Sequence, residues 1–540
     1  MNFSKKNHDF LKGNIKLMSK KLLSLVAISA LLVGCSSSKQ TTAAPAKPAM
    51  TVTDFAKTIT AAELKEALYV YASDEFEGRD TGEPGQKKAI EFLKKHYVEL
   101  SIPAALPNND YYQEVPLERT AAPVVTLNVN GKDFKTVDNF VSFAGSNGTI
   151  NTDEVVYVGY GIEDDNYSSY KDIDVSGKIV LFKNGEPKGK DGKYIISGTE
   201  ESTGKWSNMR EEFSSKSGIA KDKGAKAALY YNPDVYGMIA QRFGKGRTSM
   251  GLKSKEEKED TMNFMLVNTS LAEAIVSDIA TNEKSQVVKT PVTLNYKTNK
   301  EDFNSENVVA YIKGSEKPDE YIVISAHLDH VGMRDGKIYN GADDDGSGTV
   351  SLLEVAEAFK MAADNGQGPK RSVVFLHVTG EEKGLLGSRY YTDMDPIFPL
   401  ENTVANLNID MVGRTDPKRT EGDRNYIYLI GSDKLSTDLH NISEEVNKKY
   451  TNIELDYTYN DENDPNRFYY RSDHYNFAKN NVPIIFYFNG THDDYHQHTD
   501  TPDKIEYDLL ENRSRLIFHT AWELANRAER IVVDKATDSE

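Results

Sequence analysis

The chain has 540 residues, too many for one typical domain and enough for two or three. Its composition, 38% hydrophobic and 27% charged, suits soluble globular cores. The net charge of -18, from 65 basic and 83 acidic residues, argues against nucleic acid as a partner, because phosphate binding needs clustered Lys and Arg.

Lys20 and Lys21 precede an apolar run, Leu22 to Val33, which is too short to span a bilayer. It ends in Leu32-Val33-Gly34-Cys35, followed by three serines. This resembles a bacterial lipoprotein signal, with residues 1–34 removed and Cys35 lipidated. The resemblance implies export and attachment to a membrane of the cell envelope, at the outer membrane or the periplasmic face. Cys35 is the only cysteine, so the mature domains have neither disulfides nor thiolate metal ligands. Residues 35–55 are rich in Ser, Thr, Ala, Pro and Lys and read as a flexible tether.

Residues 56–150 open the main domain. Thr60-Ala61-Ala62-Glu63 has the pattern of a capping box, and Leu64, Ala67, Leu68 and Tyr71 follow at helical spacing. A second helix carries Ala89, Phe92, Leu93 and His96. From 151 to 295 the texture changes to short strands and turns, such as Glu154–Ile162, Gly177–Phe182 and Gly224–Tyr231, with a helical stretch near Ile219 to Lys223. This segment resembles the protease-associated domain, a small β-rich module, and presents no catalytic constellation.

From 296 to 532 strands and helices alternate. Tyr321 to Ala326, Ser372 to Val378, Ala405 to Ile409 and Val482 to Phe488 read as strands. Leu352, Val355, Ala356 and Phe359 mark one helix, and Ile517, Ala521 and Leu524 a last one. The pattern predicts an α/β fold: a mixed, mostly parallel sheet with helices on both faces, plus the inserted small β-rich domain.

Five segments at strand ends carry chemistry, and ligand sites in open α/β sheets lie at the carboxyl ends of strands. They are His327-Leu328-Asp329-His330, Asn340-Gly341-Ala342-Asp343-Asp344-Asp345-Gly346, Thr379-Gly380-Glu381-Glu382, Asn408-Ile409-Asp410 and Asp494-Tyr495-His496-Gln497-His498. Imidazole and carboxylate are good zinc ligands. Neighbouring residues on a regular strand point to opposite faces, so Glu381 and Glu382 serve one site only where the strand has ended. Gly380 places them at such a point.

Together the five segments resemble the secreted bacterial two-zinc aminopeptidases, relatives of glutamate carboxypeptidase, glutaminyl cyclase and the transferrin receptor. Glu77-Gly78-Arg79-Asp80-Thr81-Gly82 resembles that family's opening segment. The resemblance implies a zinc exopeptidase fold, two zinc ions and peptide substrates cleaved at the N-terminus. It assigns His327 and Asp410 to one zinc, Glu382 and His496 to the other, and Asp344 to both. Glu381 becomes the general base of a zinc-bridged hydroxide. Asp329 orients His327, and Arg471 and Tyr495 polarise the carbonyl or hold the oxyanion. His498 competes with His496, and Asp343 and Asp345 compete with Asp344. His330 and His474 either line the cleft or are structural, and His377 reads as a core residue. The alternatives are a carboxypeptidase or dipeptidase of the same fold, a single-zinc acyltransferase, and a binding protein without activity.

Overall fold

A computed structural model describes residues 50–244, 248–254 and 261–535. The expected signal peptide and lipidated Cys35 lie outside the described residues. Among these, no helix is long and apolar enough to cross a membrane.

The fold begins earlier than the tether reading allows. Val52–Ala56 is a helix (α1), closed by a capping box between Thr51 and Asp54. Phe55 is fully buried in the main core. The end of the expected tether, 52–55, therefore belongs to the globular unit, because one aromatic side chain and a cap outweigh the polar residues around them. Ala61–Tyr71 (α2) and Pro84–Glu99 (α3) follow, and Thr60 caps the first of them.

The strands of the main sheet, in chain order, are β1 (Tyr112–Val129), β2 (Gln286–Ile312), β3 (Lys317–His327), β4 (Arg371–Val378), β5 (Thr403–Ile409), β6 (Tyr426–Ile430), β7 (Glu454–Asp456) and β8 (Ile484–Phe488). They run in the order β7-β6-β8-β5-β3-β4-β2. Strands β8, β5, β3 and β4 are parallel neighbours, and β6 and β2 flank them antiparallel. Both faces are buried. Ile322, Ile324 and Ala326 point into the core under α2, α3 and the helices Gly348–Asp364 (α4), Thr437–Tyr450 (α5) and Tyr507–Asn526 (α6). Val323, one step out of phase, faces a second core with Val374, Leu376 and Phe477. Short helices, Leu386–Arg389 and His474–Ala478, lie on this second side. The fold class is thus the expected mixed α/β sheet.

The insert differs from its expected outline in two ways. Strands β1 and β2 form one continuous antiparallel ribbon, from Tyr112 opposite Val308 to Val129 opposite Val292, with a single irregularity at Ala121–Val124. The far half of this ribbon belongs to the insert core, where Val125, Leu127, Val129 and Phe140 pack with Leu181, Leu229 and Leu294. The insert therefore takes in residues well before 151, and no break falls at 295. A ribbon that crosses between two cores leaves no Gly- or Pro-rich seam to read. The insert is also more than β-rich. Its strands Ile179–Lys183, Ala227–Tyr231 and Asn263–Val267 are parallel, and helices Met209–Asp222 and Pro233–Phe243 accompany them.

Candidate metal centre

Parallel strands deliver their carboxyl ends to one edge, and that edge collects the five segments. His327 is the last residue of β3 and Asp410 follows β5. After β4 the chain turns at Gly380, which sits at φ 67, into a short helix Glu381–Lys383. Asp344 lies in the turn before α4, and His496 in the loop after β8. His496 holds φ at 55, a left-handed conformation that a non-glycine residue takes at a cost.

Two ligand groups meet there. In the first, His327 Nε2 lies 3.2 Å from Asp344 Oδ1 and 3.6 Å from Asp410 Oδ1. In the second, Glu382 Oε1 lies 3.0 Å from His330 Nδ1 and 3.1 Å from His496 Nε2. Asp344 joins the two, because its Oδ2 stands 3.1 Å from His496 Nε2 and 3.8 Å from His330 Nδ1. The ligand atoms of His327, Asp344 and Asp410 all lie within 4.8 Å of one another, as do those of His330, Asp344 and Glu382. Nitrogen and oxygen atoms about 2 Å from one zinc ion span a similar distance.

The donor set fits metal ions. Among the described residues, His327 Nε2, Asp344 Oδ2 and Glu382 Oε1 are buried polar atoms without a hydrogen-bond partner. Buried carboxylates need a counter-charge. Protons alone meet that need only by large shifts. Burial pulls the His327 imidazole down, yet Asp410 and Glu381 outweigh it and hold it well above its ordinary value. His496 is lifted to about 10 against burial by Asp344 and Glu382. Glu382 is held at about 2 by His330 and His496, against burial and the charge of Asp344. A cation between these groups satisfies them without such shifts.

Residues 307–521 match peptidase family M28. That span holds every residue expected to bind metal or react. A relative named probable glutamate carboxypeptidase, from Zea mays, is 33% identical over 122 residues, 22% of this chain and 16% of that protein. A probable leucine aminopeptidase of Aspergillus oryzae is 27% identical over 266 residues, 49% of this chain and 42% of that protein. The chain spans less than half the length of these curated relatives. An aminopeptidase structure from Aneurinibacillus sp. strain AM-1 aligns over 90% of this chain and 99% of that one, at TM-score 0.47 and 18% identity.

Within the matched span, three consecutive aspartates have different duties. Asp345 Oδ1 accepts from the Gly348 and Met411 N–H groups, and its Oδ2 from the His327 N–H. Asp343 Oδ1 accepts from Gly413 N–H and the Ser347 hydroxyl, and its Oδ2 meets His492 Nε2 at 3.1 Å. Both therefore knit backbone segments together, and Asp344 alone turns to the ligand groups. The Asp344–Asp345 peptide is cis. His498 stands apart, with its Nε2 2.7 Å from Lys337 Nζ. His474 stacks on Phe486 and contacts the Tyr469 carbonyl, and His377 meets the Tyr97 hydroxyl at 2.8 Å in the core.

Asp329 departs from its expected role. Its backbone oxygen, 3.0 Å from His327 Nδ1, makes the orienting contact, whereas its carboxylate is 3.9 Å away. The carboxylate instead accepts from the Glu381 N–H at 3.1 Å and the Thr81 hydroxyl at 2.7 Å. The backbone turn after His327 brings the carbonyl closer than the side chain. His330, left open by the sequence, joins the second ligand group.

A small cavity beside the two groups is lined by Asp344, Glu381, Asp410, Arg471 and Tyr495 on its polar side. Arg471 Nη2 donates to the Tyr495 hydroxyl at 3.3 Å, and the Tyr495 ring stacks on His496. Burial and the Asp344 charge push the Tyr495 phenol far up, so it keeps its proton. Burial, with the charges of Asp410 and Glu382, pushes Glu381 well above the usual carboxylate range despite His327. The apolar wall consists of Met411, Phe468, Phe486 and Phe488. Sequence reasoning missed this wall, since only β8 joins two of its members.

Proposed function

We propose that the chain is an M28-type metallo-exopeptidase that removes N-terminal residues from peptides, with two zinc ions. The observation that carries this reading is the pair of ligand groups sharing Asp344, with Glu381 on the same cavity wall. His327 and Asp410 would hold one ion, Glu382 and His496 the other, and Asp344 both. The His330 imidazole stands against the Glu382 and Asp344 carboxylates. Bound zinc supplies Lewis acidity toward the scissile carbonyl and eases deprotonation of water.

The protein's own groups do the rest. Glu381 takes the proton of the attacking water and hands it to the leaving amine. Arg471 and Tyr495 offer N–H and O–H donors to the developing oxyanion. Met411 and the three phenylalanines take an apolar side chain. The longer match to a leucine aminopeptidase supports the same end of the substrate. A carboxypeptidase or dipeptidase is the second reading, favoured by Arg471, whose guanidinium also suits a terminal carboxylate.

Export as a lipoprotein through Cys35, and a protease-associated role for the insert, remain parts of this proposal. Its test joins metal analysis to mutation. Fresh protein should carry two zinc ions per chain, and Glu381→Gln should keep them while kcat falls about 10²–10⁴-fold. Near-full activity in Glu381→Gln would remove the base from the mechanism.

A further inference from the structure

The segment Glu77–Gln86 lies outside the M28 match, yet it touches three of the five segments that form the centre, those around His327, Asp344 and Glu381. Glu77, Gly78 and Arg79 hold φ at 52, 68 and 51, three left-handed residues in a row. Such a run persists only where its surroundings enforce it. Arg79 is 1% exposed, and its guanidinium donates to the carbonyls of Leu328, Asn340 and Gly341, at 3.2, 2.7 and 2.8 Å. These carbonyls frame the loop between His327 and Asp344. A Cβ on Gly78 would lie 2.4 Å from the Tyr339 oxygen, so the two backbones are in contact. Asp80 pairs with Lys383 at 2.6 Å, next to Glu382. Gln86 Nε2 donates to the Thr379 hydroxyl at 2.5 Å, just before Gly380.

Thr81 is the central contact. It is fully buried, as is Asp329. Its hydroxyl donates to Asp329 Oδ2, while Asp329 Oδ1 takes the Glu381 N–H and the Asp329 carbonyl meets His327 Nδ1. One residue thus holds the base on one side and a metal ligand on the other, and Thr81 pins that residue from behind.

We propose that Thr81 is a positioning residue of the centre, acting through Asp329 to fix where Glu381 and His327 stand. The inference rests on the hydrolytic reading above. A buried carboxylate oxygen that loses its donor seeks another. A shift of about 1 Å at such a site costs about 10²-fold in rate. Outer partners of metal ligands cost about 10–100-fold in affinity or activity when removed.

The experiment uses the full chain with zinc alone and a free-amine peptide substrate. Thr81→Val should lower kcat about 10–100-fold with KM within about twofold. Zinc affinity, read on the metal-stripped protein by competition with a chromogenic chelator, should fall about tenfold. Thr81→Ser keeps the hydroxyl and should restore both. Thr81→Val added to Asp329→Asn should cost nothing beyond Asp329→Asn alone, because the two act in series. A purely structural role would instead give additive losses and no rescue by serine. Should Thr81→Val fail to fold, Thr81→Ala carries the same comparison and Thr81→Ser still tests the hydroxyl. Wild-type kcat or wild-type zinc affinity in the variant that folds overturns the inference. A wild type that neither binds zinc nor cleaves peptide overturns the reading beneath it instead.

Discussion

Asp343, Asp344 and Asp345 show how neighbouring identical residues divide labour. The outer two spend their oxygens on N–H and hydroxyl donors, so only the middle carboxylate faces the His327 and His496 imidazoles. Histidines divide in the same way. Those at the centre are surrounded by carboxylates, whereas His377 is buried against Tyr97 and near His96. Burial, then His96, pulls His377 down to about 3. The unfolded chain returns it to about 6.5. Between those values the unfolded state binds the extra proton, so stability from burying neutral His377 is full above pH 6.5 and is lost as pH falls toward 3. Replacing it with glutamine removes this dependence. Denaturant titrations of His377→Gln and wild type should show their difference moving in the variant's favour by about 1.4 kcal/mol per pH unit below 6.5. A difference independent of pH between 7 and 5 would contradict the buried neutral state.

The elements serve the centre through where they stop. Each ligand follows the end of a parallel strand or precedes a helix, and the helix α4 shows how tight that junction is. A Cβ on Gly348 would lie 2.3 and 2.5 Å from the two Asp345 carboxylate oxygens. Asp345 would have to move, and with it the N–H groups of His327 and Met411 that it holds. Gly348→Ala should therefore cost about 1–3 kcal/mol of stability and also weaken zinc binding. Denaturation and chelator competition read the two effects, and a variant at wild-type values in both would show that the junction has slack. The four parallel strands β3, β4, β5 and β8 could be read from sequence because each is a near-continuous apolar run followed by one of the five segments. The ribbon β1–β2 could not, since its residues alternate and cross between two cores. The segments that meet at this sheet edge were legible by motif, but the contacts behind them were not. Thr81 meets Asp329 across 248 positions, and no local pattern encodes such a pairing. His330 gave a local signal, three residues after His327, but that signal fits a structural histidine equally well.

Across the whole molecule, the insert and the main sheet share the β1–β2 ribbon. From the insert, Ser249–Leu252 pairs back onto β1, and Met250 and Leu252 pack with Leu386 and Tyr390, just beyond the Glu381–Lys383 turn. The insert thus braces the loop that carries Glu381, and it is continuous with the fold around it. The proposed function is removal of residues from one end of a peptide. Its most direct test is a digest by the zinc-loaded full chain of one peptide with a free N-terminus and the same peptide N-acetylated, with both termini followed by mass spectrometry. Stepwise loss of N-terminal residues from the free-amine peptide alone, abolished by chelator and restored by zinc, is the predicted result. Loss from the C-terminus, or equal cleavage of the acetylated peptide, would contradict it.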